Sequence, residues 1–336
     1  IESVTMRVDE IVVEKFHDDW GIIYDELYLD ASEKRTKRYT MNRNLAEGTS
    51  LINAANQSLA QFESELMIPI PLFFSRKYEG DEYDTNNPNR PYFPTCAIHK
   101  QKIQFDIVFR PQSFFSDCPT SIKLSEFNII TEEMTVSQVE RTYLMTKRQI
   151  FTTDIVKKHP SVQTVIGSDT VKIELVPNIP VNTLNWFFRA EEFENQSVFT
   201  GGTELNSNAF ANRFNFSSNT SFSVINSFFE PVMKSAQIFI KGQRLPNLTV
   251  ADHTYFKYIV PFISRLSRPI RNIYTYTFSM NPINVEPSGS LDFGQLRSNT
   301  TVLDIQLVGG LTRVYTLHIY YVGYETYVFD QGFMSL

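Results

Sequence analysis

Apolar and polar residues alternate with a period of two through most of this chain. In KIQFDIVFR, Ile103, Phe105, Ile107 and Phe109 share one side while Lys102, Gln104, Asp106 and Arg110 share the other, the pattern of a strand with one wet face. The alternation returns in VKIEL (Val171, Ile173, Leu175), SAQIFIK (Ala236, Ile238, Ile240), NIYTYTFSM (Tyr274, Tyr276, Phe278, Met280) and RVYTLHIYYV (Tyr315, Leu317, Ile319, Tyr321). β-Branched and aromatic residues dominate these runs, as strands prefer. NTLNWFFR, MIPIPLFFS and TVLDIQLV read as further strands. Helical patterns are few: one at TEEMTVSQVERTYLMTKRQI, near residues 131 to 150, with Met134, Val139, Leu144 and Ile150 loosely spaced, and a short one around DHTYFKYIV. Strands punctuated by Gly, Pro and Asn turns predict an all-β fold of sandwiches or barrels.

The strand pattern repeats. At an offset of 232, SVTMRV aligns with SAQIFI, Ser3 over Ser235, Met6 over Ile238 and Val8 over Ile240. Each copy runs through a polar stretch to an Asp followed by an aromatic, Asp19-Trp20 in one and Asp252 with Tyr255 in the other. Each then presents an apolar strand (MIPIPLFFS or NIYTYTFSM), a long loop, and a second strand (KIQFDIVFR or TVLDIQLV). The order of four matched elements predicts two structurally similar units. Strands such as VKIEL and NTLNWFFR precede Ser235 while two residues precede Ser3, so the sequence is expected to begin inside its first unit.

Composition agrees with a large folded core. The 336 residues suggest two domains, and 42% hydrophobic content with 28 Phe and 16 Tyr supplies the apolar area. A net charge of −6 provides no global positive field to hold nucleic acid. Two cysteines, Cys96 and Cys118, are too few for a disulfide framework and fit a reducing compartment. No uncharged apolar run reaches membrane-helix length and no signal segment opens the sequence.

Candidate chemistry is sparse. His17, His99, His159, His253 and His318 form no HxH or HExxH spacing, and no GxSxG, Walker or GxGxxG motif is present, so neither an enzyme nor a metal or cofactor site is expected. His318, mid-strand among tyrosines, reads as a hydrogen-bonded packing residue. Asp18 and Asp19 read as a helix N-cap with its first-turn charge. The one basic cluster, Lys34, Arg35, Lys37, Arg38 and Arg43, could meet an acidic partner or an anionic surface. Without interleaved aromatics it reads as a solvated loop beside Glu33. Sequons fall at Asn56, Asn195, Asn215, Asn219, Asn247 and Asn299. Three of them, Asn195, Asn215 and Asn219, lie in the long polar insertion from Glu194 to Asn226, and loops of that length usually serve a function.

Residues 286–307, EPSGSLDFGQLRSNTTVLDIQL, set Pro287, Ser288 and Gly289 ahead of Phe293 and Asn299 at the entry of a strand. Their chemistry is turn chemistry, since Pro fixes φ and Gly accepts positive φ. This stretch, with IESVTMRVDEIVVEKFHDDWGIIYDEL, MIPIPLFFSR, YFPTCAIHKQKIQFDIVFR, PNIPVNTLNWFFR, MKSAQIFIKGQRL, DHTYFKYIVPF and the closing RVYTLHIYYVGYETYVFDQGF, resembles the major capsid proteins of nucleocytoplasmic large DNA viruses from Ile1 to about Phe333. The loop SRKYEGDEYDTNNPNRPYFPT is longer and more polar than that family's usual link.

The resemblance implies a double jelly roll, residues 1–148 forming a first, N-terminally incomplete sandwich and residues 149–336 a second. It implies a structural role without enzymatic activity or cofactor, in a homotrimer that tiles as a pseudo-hexagonal capsomer of an icosahedral shell. Expected partners are neighbouring capsomers and minor capsid proteins, with no direct nucleic acid contact, no transmembrane segment, and proximity to an inner virion membrane. The expected location is the virion capsid, assembled in host cytoplasm. Pro287, Ser288, Gly289, Phe293 and Asn299 are then expected on an intersubunit loop, against the alternative of an ordinary strand connection. The Glu194–Asn226 insertion is expected on the outer capsomer surface, with glycans only if the virus supplies transferases. Two other functions fit a sandwich: a scaffold of immature particles, or a secreted lectin, which would call for a signal peptide, disulfides or an acidic metal loop.

Overall fold

The computed structural model describes residues 1–34, 67–78, 91–111, 126–194, 213–218, 230–247, 251–296 and 301–336. In chain order the strands are β1 (Ser3–Val8), β2 (Ile11–His17), β3 (Ile103–Val108), β4 (Gln149–Lys158), β5 (Val162–Gln163), β6 (Thr170–Glu174), β7 (Pro180–Ala190), β8 (Met233–Ile240), β9 (Gln243–Leu245), β10 (Ile273–Thr277), β11 (Leu291–Asp292), β12 (Thr301–Leu307), β13 (Tyr315–Asp330) and β14 (Phe333–Ser335). The α-helices labelled among the described residues are α1 (Asp18–Leu27), α2 (Gln138–Thr146) and α3 (Val260–Ile263), the last continuing a π-helical turn, Tyr255–Ile259; residues 31–34 are also helical. Every pairing among the described strands is antiparallel. One sheet runs β2-β1-β3, a second β6-β12-β8-β9, and a third is built on β10-β7-β13-β14, with β11 added to β7 and β4 and β5 to β13.

The third sheet is the centre of the molecule. All of β7 after Pro180 is buried, as are the first ten residues of β13. A strand with one wet face would alternate, so continuous burial means that both faces are covered. On one face Trp186 packs against Phe256 and Tyr274, with ring centroids 5.1 and 5.9 Å apart. On the other Phe187 stacks on Phe216 at 4.1 Å and on His318 at 5.0 Å, and Tyr320 meets Trp20 of α1 at 6.1 Å.

A bulge in β13 keeps aromatics facing the N-terminal part along its whole length. The β13–β7 register shifts between Val322 and Gly323. Before the shift the even-numbered His318 and Tyr320 face that side; after it the odd-numbered Tyr327 and Phe329 do, as an extra residue in a period-two strand requires. Tyr327 stacks on Phe73 and its hydroxyl donates to the Val13 carbonyl at 2.8 Å, while Phe329 lies against Phe93. Gly323 sits where no side chain fits, since a Cβ there would stand 2.3 Å from the Pro180 carbonyl oxygen and 2.7 Å from Ile179 Cδ1.

The repeat at offset 232 is present in three dimensions. β1 lies between β2 and β3 as β8 lies between β9 and β12. Both hairpins turn through a residue of positive φ, Asp9 at 51° and Lys241 at 49°, in corresponding positions, and each returning strand leads towards a helix. Two expectations are corrected. MIPIPLFFS is not a strand: residues 67–72 have no regular structure and 73–75 turn, because Pro69 and Pro71 have no N–H to give a ladder. The helix expected over residues 131 to 150 is limited to α2, capped by Ser137, whose hydroxyl accepts from Glu140 N at 3.3 Å. From Gln149 the chain becomes β4, whose residues 149–158 pair with Phe329 back to Tyr320 of β13.

Gly323→Ala is expected to lower unfolding stability by about 2 kcal/mol, the usual cost of forcing extra volume into a packed site. Gly309→Ala, which adds a methyl to open space, is the control and should be near neutral in the same denaturant titration.

Candidate functional site

The most charged part of the interior lies where α1 meets the central sheet. Asp19, 1% exposed, accepts from Arg189 Nη2 at 2.6 Å and from Arg213 Nη2 at 3.0 Å. Arg189, on β7 and wholly buried, donates from Nη1 to Glu194 at 2.9 Å and from Nε to the Arg213 carbonyl at 2.6 Å. Asp18 joins Arg110 at 2.7 Å and Arg213 at 3.3 Å. His318 Nε2 lies 2.6 Å from Glu194 Oε1, and its Nδ1 lies 3.2 Å from Ser161 Oγ, so a neutral ring donating to Glu194 and accepting from Ser161 satisfies both. The expected hydrogen-bonded role of His318 is therefore present.

Asp18 and Asp19 do not cap the helix as expected. The N-cap position is His17, which makes no side-chain capping bond; both carboxylates sit in the first turn, facing the helix dipole's positive end, and reach arginines from elsewhere in the sequence. Burial is the largest influence on the Asp19 carboxyl and alone would raise its pKa. Arg189 and Arg213 outweigh burial and hold the group well below the usual carboxylate range. Burial likewise lowers the His318 pKa, against the opposing pull of Glu194.

Two more ion clusters clamp the same layer. Glu14 on β2, buried, pairs with Arg76 and also accepts from the backbone N–H of Phe73 at 2.8 Å and of Val156, on β4, at 3.0 Å. Arg76 donates onward to the carbonyls of Pro71 at 3.0 Å and Asp154 at 3.2 Å. The Asp154 carboxyl, which accepts from Asn182 at 3.3 Å, is pushed up to about 7 by burial, with Arg76 opposing and Glu14 adding to the rise. At the far end of α1, Glu26 pairs with Arg271 and accepts from Ile270 N at 2.6 Å, and Ser267 donates to the Leu27 and Leu29 carbonyls. Each end of α1 is thus tied to residues more than 160 positions away.

The Pro-Ser-Gly loop is held by its own chain. Ser288 Oγ donates to the Asn281 carbonyl at 2.7 Å and accepts from Asn281 N at 3.0 Å. Gly289 has φ 135°, and a Cβ there would press on the Phe278 carbonyl oxygen at 3.2 Å. Leu291 and Asp292 pair with Val181 and Pro180, Asp292 Oδ1 accepts from Gly294 N at 2.9 Å, and Phe293 is buried against Phe278 and Tyr321. Phe293 is an anchor inside the subunit, whereas Glu286, Pro287, Gly289 and Ser290 form an exposed crest next to Met280, 89% exposed.

The expected surface insertion turns inward where it is described. Residues 213–218 lie under the seam, with Phe216 stacked on Phe187, because Arg213 finds its acids there. Asn215 is 1% exposed and its Oδ1 accepts from Ser217 N at 3.0 Å, so the glycan expected at Asn215 has no room. Asn195, Asn219, Asn299, Cys118 and the basic residues Arg35, Lys37, Arg38 and Arg43 lie outside the described residues. Among the described residues no cluster of metal-ligating side chains and no helix long and apolar enough to cross a membrane is found. The arginine seam itself escaped sequence reasoning, since its members are separated by up to 195 positions. The only local signal was an acidic pair beside a tryptophan.

Asp19→Asn should cost about 3–5 kcal/mol, because it leaves two buried guanidiniums short of a counter-charge. With its folded pKa depressed, Asp19 contributes fully above the unfolded carboxylate range and loses that contribution progressively as pH falls from there towards the folded pKa, so the variant should show a flatter acid-unfolding slope. Asp154 has the opposite sign. Its raised folded pKa favours the fold below about pH 4 and that contribution is lost as pH rises to about 7, so Asp154→Asn should gain on wild type between pH 4 and pH 8 in thermal melts.

The fold has counterparts in known proteins. The family described as large eukaryotic DNA virus major capsid protein matches residues 132–315, and the family described as major capsid protein N-terminus matches residues 1–159. The quasi-atomic structure of the PBCV-1 virus capsid is 16% identical, with a TM-score of 0.64 over 100% of this chain and 83% of that one. PBCV-1 VP54, fitted into a reconstruction of the virophage Sputnik, is 14% identical, with a TM-score of 0.63 over 100% and 82%. No curated protein matches. The likeness to the solved capsid structures shows a double jelly roll, with the few short helices in its loops. This chain belongs to the major capsid proteins of large eukaryotic DNA viruses, and it is a structural component of the virion shell.

Proposed function

We propose that three copies of the chain close into a homotrimer, and that this trimer is the pseudo-hexagonal capsomer tiling an icosahedral shell. The observation that carries the reading is the pair of repeated units locked together by buried ions. A wedge repeated twice in a rigid chain gives six similar wedges from three copies, and ring closure demands a heterologous contact in which one side of a copy meets a different side of the next. Residues 1–148 form the first jelly roll and residues 149–336 the second, a boundary supported by β4, which opens at Gln149 and enters the sheet of β7 and β13. The crest of Glu286, Pro287, Gly289 and Ser290, stapled beneath by Ser288 and Phe293, supports the intersubunit reading of this loop, with Asn299 following it in sequence.

The capsomer meets neighbouring capsomers and minor capsid proteins, needs no cofactor and does no catalysis. The acidic balance of the chain supports a shell without direct contact to nucleic acid; by its family the shell lies close to an inner virion membrane and is assembled in the host cytoplasm. Asn195 and Asn219 are the sequons of the long insertion that remain for sugars of the outer surface.

Native mass spectrometry of the purified protein should give a trimer that persists on dilution to micromolar concentration, as a large specific interface does. A stable folded monomer at micromolar concentration would contradict the reading. Peptide mapping of virion protein should find hexose additions at Asn195 and Asn219 with Asn215 bare; unmodified Asn195 and Asn219 would remove the glycan proposal alone.

A further inference from the structure

The helical turn that follows β9 is the counterpart of α1, yet much of its surface is bare. In the N-terminal unit the hairpin β1–β2 leads into α1, which the rest of the chain covers. In the C-terminal unit the hairpin β8–β9 leads to the π-turn at Tyr255–Ile259 and α3, and here Phe262 is 84% and Ile263 68% exposed, with Ile259 and Ile270 also exposed. Pro261 stands in the first turn of α3, where its missing N–H is tolerated.

The patch is rigidly mounted. Lys257, buried beneath it, donates to the Ile270 carbonyl at 3.1 Å and to Asn272 Oδ1 at 2.7 Å. Arg268, exposed, lies over the Tyr258 ring at 4.5 Å. The patch also borders the Glu26–Arg271 cluster already described, because Ile270 gives its backbone N–H to Glu26 of α1 while its side chain stays in solvent.

We propose that this face, Ile259, Phe262, Ile263, Arg268 and Ile270, docks on the first unit of a second copy of the chain, repeating between subunits the contact that α1 makes within one. The inference rests on the trimeric capsomer and names one of its contact surfaces. Closure of three two-unit chains alternates first-to-second contacts inside a chain with second-to-first contacts between chains. An element covered in the first unit and bare in the second is what that alternation leaves on an isolated subunit.

Charge agrees with the occupant. From His253 to Val285 the chain carries four basic residues and no Asp or Glu. Residues 1–148 hold 17 Lys and Arg against 23 Asp and Glu, whereas residues 149–336 hold 14 of each, so the whole net charge of −6 resides in the first unit. The face is apolar with a basic rim and its proposed partner is acidic, a pairing that orients the encounter as well as attracting it.

The test compares wild type with Phe262→Asp/Ile263→Asp by native mass spectrometry and sedimentation, using near-UV circular dichroism to confirm folding. Both side chains are solvent-exposed in the single chain, so the subunit should fold; trimer dissociation should become at least 10-fold easier, and Arg268→Glu should weaken it further. Val165→Asp/Ile166→Asp, equally exposed in the β5–β6 connection, should leave the trimer intact. A Phe262/Ile263 variant that trimerises like wild type overturns this contact and leaves the capsomer standing. A wild-type protein that is monomeric overturns the capsomer and the contact with it. Should the aspartates unfold the chain, Phe262→Ser/Ile263→Ser decides by the same comparison.

Discussion

The carboxylate of Asp19, shut away from water between the guanidiniums of Arg189 and Arg213, is the contact on which the arrangement of the chain depends. An isolated charge at such a site would be prohibitive, and even a paired one gains little net stability over an apolar core of the same shape. Its value is directional. Two arginines, one on the middle strand of the central sheet and one from a distant segment, can be satisfied together only if α1 lies against that sheet in one register. Glu26 with Arg271 at the other end of the helix, and Glu14 with Arg76 and Asp154 below it, impose the same condition at separate points. Apolar packing could let the two layers slide; these three clusters do not.

That constraint explains the odd composition of the central sheet. A strand such as PVNTLNWFFRA, carrying Asn182, Thr183, Asn185 and Arg189 among aromatics, would be a poor interior strand if one side were a simple oil-like core. Its apolar members, Leu184, Trp186 and Phe188, serve the sandwich core, while Arg189 reaches Asp19 of α1 in the other unit, Asn185 accepts from Thr275 of β10 and Asn182 donates to Asp154 of β4. The bulge at Gly323 carries the same division along β13 by reversing which parity faces which layer. A shell subunit benefits directly, since two sandwiches that cannot shift present fixed edges to their neighbours and let loops vary without disturbing the core.

Much of this was legible in the sequence. Period-two alternation located β3, β6, β8, β10, β12 and the first part of β13, and the repeat at offset 232 matched hairpins that turn through positive φ at corresponding residues. The double jelly roll and the capsid family, first suggested by the Pro-Ser-Gly loop and its flanking strands, stand. What was illegible had physical reasons. The segment MIPIPLFFS has strand-like hydrophobicity, but two prolines deny it a ladder. β4 was missed, its first two residues lying at the end of the run read as helix and the rest assigned to no element, because its partner β13 lies 162 or more positions later in sequence. Asn215 looked like a surface sequon because local composition says nothing of Arg213, two residues earlier, which draws the segment inward. Ion pairs between residues far apart leave no periodic mark, so the seam could not be read from any window of sequence.

If the buried acids of α1 make the two units a single body, native-state hydrogen exchange tests that most directly. Backbone amides of α1, of β1 and of β7 and β13 should then exchange through the same global unfolding, with equal opening free energies and equal sensitivity to denaturant. Amides of α1 and β1 that open at markedly lower free energy than those of β7 and β13 would show units that separate without unfolding, and would contradict the account.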